Sequence, residues 1–179
     1  MEYSQIIHFW FEELSTPQWW EKDKALDQLI KERFLTTHNA AKQGECYGWR
    51  EEPHGWLAEI IVLDQFSRNI YRDQAQSFAQ DSQALTLAQE AISSGATQAL
   101  SQQEKVFAYM PFMHSESKLM HDIAVGLFTD LGIESNLSFE LKHKAIIDRF
   151  GRYPHRNVIL GRESTPEEVE FLNEPGSSF

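Results

Sequence analysis

Between positions 53 and 66 the chain is apolar almost all the way round a helix. Trp56, Leu57, Ile60, Ile61, Val62, Leu63 and Phe66 leave no face broad enough to meet solvent. A helix of that kind has to be covered by others, so it belongs at the centre of the fold. Pro53 suits its first turn, where a missing N–H costs no helical bond. What covers this helix is then read from the rest of the chain, and the pattern there is helical as well.

Ile6, Ile7, Phe9, Trp10 and Phe11 open the chain as a short aromatic-rich helix. Asp23 is a candidate N-cap, and Leu26, Leu29, Ile30 and Phe34 follow it at helical spacing. Ala84, Leu85, Ala88, Ala91 and Ile92 define a further helix that Gly95 ends. Ser101 and Glu104 make a capping box for a short helix that Pro111 interrupts. A long helix is predicted over 112–131, closed by Gly132, and another from about 138. Thr165, Pro166 and Glu168 start a last one. No segment sustains the strict alternation of a half-buried strand. The expected fold is therefore all-α: one domain over 1–179, about eight helices, with stacked helical hairpins around one buried central helix. The tail over 174–179 is expected to be loose unless Phe179 docks.

Composition narrows the setting. A hydrophobic share of 41% supports a substantial core. No apolar run approaches the roughly 20 residues needed to span a bilayer. The opening Met-Glu-Tyr-Ser-Gln has no basic stretch followed by an apolar one, so a cytoplasmic chain is expected. Cys46 is the single cysteine and reads as structural. A net charge of -11 repels phosphate backbones and argues against nucleic acid as a partner. Trp10, Trp19, Trp20, Trp49 and Trp56 read as packing residues.

Against that acidic background, 143–162 is a basic island. It holds Lys144, Arg149, Arg152, Arg156 and Arg162 with one acid, Asp148, for a local +4; the remainder carries -15. Such an island requires the chain's own carboxylates or an anionic ligand. Helical phase supplies candidate carboxylates. Asp64 and Arg68 sit one turn apart among apolar neighbours, and His143 lies among Phe139, Ile146, Ile147 and Phe150. On a helix over 112–131, Glu116 falls amid Met113, Leu119, Met120, Ile123, Ala124 and Leu127, with His114, Lys118 and His121 on the polar side. Buried charges are paired or they titrate. The inward acids are expected to meet arginines of the 149–162 segment, since a guanidinium fork engages a carboxylate in two places. An internal echo points the same way. Asp64-x-Phe-x-Arg68 with Arg72 recurs 84 residues on as Asp148-x-Phe-x-Arg152 with Arg156.

Two readings follow. In one, the polar network only locks a helical stack. In the other, surplus arginines line a pocket for a small carboxylate- or phosphate-bearing ligand. Asp64, Arg68, His114, Glu116, His143, Arg152, His155, Arg156 and Arg162 would build that pocket, with His155 or His143 available for proton transfer if chemistry occurs. No catalytic motif is present, and His114, Glu116, His121 and Asp122 lack the spacing of a zinc helix, so neither metal nor cofactor is expected.

Four ordered segments carry a family resemblance. They are Phe9-Trp10-Phe11, the run from Leu63 to Arg72, the run from Tyr109 to Glu116, and the run from Arg149 through Arg162 to Glu168. Together they resemble the bacterial domain of unknown function 924 family across almost the whole chain. The resemblance implies a tetratricopeptide-like helical fold and brings no established activity. Its signature positions match Asp64, Gln65, Arg68, Asn69, Arg72, His114, Glu116, Phe150, Arg152, His155, Arg156, Asn157, Gly161 and Arg162. A tetratricopeptide-like stack adds a different candidate function, an interaction module whose basic groove takes an acidic peptide.

Overall fold

The computed structural model describes residues 2–178, and among them there are helices and no strand. The all-α class read from the sequence is correct. Phe179 lies outside the described residues, so its docking does too. The chain divides into two compact units. One comprises Met1–Arg72 with Gln76–Pro111, the other Asp73–Ala75 with Phe112–Phe179.

In the first unit, α1 (Tyr3–His8) runs on into a π-helical turn, Phe9–Glu13. Asp23 caps α2 (Lys24–Ala41), its carboxylate accepting from the N–H groups of Ala25 and Leu26. The apolar stretch forms α3 (Pro53–Ile61), a second π-turn (Val62–Phe66) and the short α4 (Ser67–Ile70). Leu57, Ala58 and every residue from Ile60 to Phe66 except Gln65 are sealed from solvent, and Gln65 is buried too. A π-turn widens the helix by one residue, and here even Asp64 and Gln65 point into protein. α3 packs against α1 and against α5 (Asp81–Ser93), while α2 packs against α4 and the π-turn before it. Gly55 allows a close approach at the start of α3. A Cβ there would lie 1.8 Å from the carbonyl oxygen of Trp49. The core is aromatic. Phe9, Trp10, Phe34, Phe66 and Phe107 sit with centroid separations from 4.8 to 6.1 Å. Truncating any one of them removes about 3–5 kcal/mol.

One sequence expectation fails between the units' sequences. No single helix covers 112–131. α6 (Gln102–Met113), started by the expected Ser101–Glu104 box, continues through Pro111. Pro111 lies in its last turn, so the ladder loses little there. Residues 114–117 are then non-helical, and α7 begins afresh at Lys118 and ends at Leu131. The new start changes the phase. The inward face of α7 is His121, Ala124, Phe128 and Leu131, whereas Leu119 is 63% and Ile123 41% exposed.

In the second unit α7 pairs with α8 (Glu134–Phe150) as a helical hairpin. Gly132, at φ 75°, makes the turn between them in the left-handed region that glycine enters without a Cβ clash. The segment after α8 holds a 3-10 turn, Pro154–Arg156, and leads to α9 (Pro166–Phe171). Thr165 and Glu168 form the expected capping box. Ile146, Ile147, Tyr153 and Phe171 make the core, with Phe150 against it. In the tail, Ser177 is buried and donates to the carbonyl of Leu172.

Candidate functional site

Tyr153 is the hub of the second unit. It leaves α8 just past Gly151 and is fully buried. Its hydroxyl donates to the carbonyl of Met113 at 2.6 Å. Its backbone N–H donates to Glu116 at 2.8 Å. Around its ring stand His155 at 5.5 Å, His143 at 5.8 Å and His121 at 6.2 Å between centroids. The guanidinium of Arg156 lies 4.5 Å over the ring, a cation–π contact, and Nη2 of Arg156 donates to the carbonyl of His114 at 3.1 Å.

Glu116 is reached by a fork from Arg162, at 2.7 and 2.9 Å. Burial by itself would raise this carboxyl. The Arg162 bonds, the Tyr153 N–H and the charges of Arg162 and Arg156 outweigh it and leave the group below its ordinary range. Arg152 holds Glu168 in the same way, at 2.6 and 2.8 Å. That pair, helped by the Thr165 N–H and Asn157, takes the Glu168 carboxyl down to about 2. His143 is buried, and burial together with the neighbouring histidines takes it down to about 3. It is a neutral imidazole whose Nδ1–H donates to the carbonyl of Phe139 at 2.8 Å.

Asp64 and Arg68 belong to the first unit. Arg68 Nη1 lies 3.1 Å from the Asp64 carboxylate, and the same guanidinium forks onto Asp81 at 3.0 and 3.1 Å. Gln65 donates to Asp64 at 2.6 Å. Arg72 forks onto Asp27, where Asn69 also donates. The expected pairing of inward acids with arginines of the 149–162 segment is found for Glu116, which meets Arg162; Asp64 pairs with Arg68, one turn along its own helix and outside that segment.

The internal echo acquires a physical meaning here. Asp27, Asp81 and Glu168 all lie in the first turns of helices. The arginines of both copies, Arg72 and Arg68 in one and Arg152 in the other, clamp those turns. Each acid is also favoured there by the helix macrodipole. The echo breaks at its aspartates: Asp64 is buried, but Asp148 is exposed and paired with Lys144.

Of the nine residues singled out from sequence, His114, Glu116, His143, Arg152, His155, Arg156 and Arg162 gather in the second unit, several directly around Tyr153. Three participants were missed: Tyr153 itself, His121 and Glu140. His121 is fully buried, with Nδ1 2.7 Å from Glu140 Oε1 and Nε2 2.9 Å from the carbonyl of Ser115. A helix starting at 118 places 121, 124, 128 and 131 on one face, so the break after Met113 was the signal that would have found it. Among the described residues no group of three or more His, Cys, Asp or Glu is placed to hold a metal ion. No described helix is long and apolar enough to cross a membrane.

This all-α chain with its tyrosine-centred polar cluster has known relatives. It belongs to the family of bacterial proteins of unknown function DUF924, which matches residues 6–176. Among solved structures it is similar to a protein of unknown function, ATU0120 from Agrobacterium tumefaciens. The two share 40% sequence identity over 96% of each chain, with a TM-score of 0.91. No curated protein matches the chain.

Proposed function

We propose that the second unit binds a small anionic ligand, phosphate- or carboxylate-bearing, at the rim of the Tyr153 cluster. The observation that carries this reading is the convergence of Arg152, Arg156, Arg162, His114 and His155 in one unit of an acidic chain. Glu116 and Glu168 orient two of the arginines without using all their N–H groups. Arg152 engages its partners through Nε and Nη2, and Nη1 makes no hydrogen bond among the described residues. A guanidinium fixed in this way is preorganised, which lowers the entropic cost of holding an anion. The two carboxylates also offset charge that a ligand would otherwise use, so the expected affinity is modest. The neutral, buried His143 does not serve as a proton donor near neutral pH, and the proposal assigns no reaction.

The test is thermal unfolding of the full chain with inorganic phosphate and with citrate, against sodium chloride at matched ionic strength. The expected result is a rise in Tm with the multivalent anions that Arg152→Gln reduces. Equal Tm values in all three salts overturn the proposal.

A second reading is supported by Leu119 and Ile123, exposed one turn apart on α7. In it the second unit is an interaction module, tetratricopeptide-like in the sense the sequence suggested, and the charge cluster is scaffolding. Unchanged Tm values in phosphate and citrate would favour it.

A further inference from the structure

His121 and Glu140 take no part in the proposed anion site, and the geometry around them determines how many protons they hold. The imidazole of His121 faces an oxygen on each side. Nε2 is 2.9 Å from the carbonyl of Ser115, which only accepts. The hydroxyl of Tyr153, 3.2 Å away, has its hydrogen on the Met113 carbonyl at 2.6 Å and so can only accept as well. Nε2 therefore carries a hydrogen. On the other side Nδ1 is 2.7 Å from Glu140 Oε1, a separation that needs one proton between them. The pair thus holds two protons and no net charge, whether written as imidazolium with carboxylate or as imidazole with carboxylic acid.

Losing the second proton would set a carboxylate against an imidazole lone pair at a site with no exposure on either residue. The second oxygen, Glu140 Oε2, is buried and has no hydrogen-bond partner among the described residues, so none of them would receive the charge. Burial raises the Glu140 carboxyl against the opposing pull of His121 and Lys144, which agrees with the pair keeping its proton. A third proton has no acceptor at Oε2 either. The other groups around this site are Tyr153, whose hydroxyl meets His121, and His143 on α8, which lies within electrostatic reach of His121, His114 and His155.

We propose that His121 and Glu140 form a proton-dependent lock that fastens α7, α8 and the 114–117 segment, so that the second unit loosens when the shared proton is lost. The sign follows from counting protons. Above the ordinary histidine value of about 6.5, the unfolded chain keeps one proton on these two residues and the folded chain keeps two. Stability then falls as pH rises, tenfold in the folding constant for each pH unit. Between about 4.3 and 6.5 the counts match and this pair contributes no slope.

Glu140→Gln separates the lock from a merely structural pair. A glutamine amide donates to Nδ1 while Nε2–H still donates to Ser115, so the bonds survive with no shared proton to lose. Urea unfolding of the full chain at pH 7 and 8 provides the measurement. The difference in log folding constant between wild type and Glu140→Gln should shrink by about one unit from pH 7 to 8, because only the wild type loses stability through this pair. A constant difference overturns the proposal. If Glu140→Gln does not fold, nitrogen-15 NMR of histidine in the wild type decides. An Nε2 of His121 that stays protonated together with an Nδ1 resonance that does not move across pH 6–8 supports the lock; a lone pair on Nε2, or an Nδ1 that moves to the bare-nitrogen position within that range, overturns it.

Discussion

Arg162 shows how single residues in this protein do two things at once. Its fork satisfies Glu116, and the same Glu116 accepts the N–H of Tyr153, so one ion pair holds the hub in register. Both partners are about three-quarters buried. Arg162→Ala leaves a mostly desolvated carboxylate with a single donor, and we expect a loss of about 2 kcal/mol in urea unfolding. Glu168 supplies a separate acid-side signature. Its carboxyl is lowered, so the stability it contributes is complete above 4.5 and is lost as pH falls from there to about 2. Glu168→Gln should remove that part of the acid limb; an unchanged slope between pH 4.5 and 2 would contradict the assignment.

At the level of elements, α7 carries a contrast between two glycines. Gly132 turns the chain at φ 75°, where an alanine Cβ is strained, and Gly132→Ala should cost about 1 kcal/mol. Gly126 lies within α7, and a Cβ added there meets nothing within 4 Å. Gly126→Ala should instead stabilise by about 0.5–1 kcal/mol, by helix propensity and a less flexible unfolded chain. Opposite shifts in Tm check the pair. The same helix explains why part of the site was illegible. Phase arguments need the helix start, and Pro111 drew the break to the wrong side of Met113. With the true start at Lys118, His121 moves from the polar side to the core and Leu119 and Ile123 move out. Glu140 could not be assigned until its partner was known. The caps, by contrast, were legible because they depend on residues three or four apart. Asp23, the Ser101–Glu104 box and the Thr165–Glu168 box all form as their local chemistry dictates.

Across the whole molecule, the uniformly apolar run before Phe66 required a covered helix, and the first unit is built around it. The basic island required internal or external anions. Glu116 and Glu168 supply the internal ones. That Glu116 would meet an arginine of the island was expected from the sequence, but the Arg152–Glu168 pairing was not, because that bond joins elements whose approach is set by tertiary packing. The echo of Asp-x-Phe-x-Arg was visible, but its physical role was not: arginines closing the first turns of other helices in both units. The anion site we propose rests on the imidazole and guanidinium groups that this scaffold gathers around Tyr153.

A phosphate titration followed through histidine side-chain resonances tests that central claim most directly. We predict saturable shifts at His114 and His155, at the rim, with His38 in the core of the first unit unmoved and Arg152→Gln weakening the response. Shifts that scale only with ionic strength, or that spread equally to the exposed His8, would contradict an anion site at the arginine cluster.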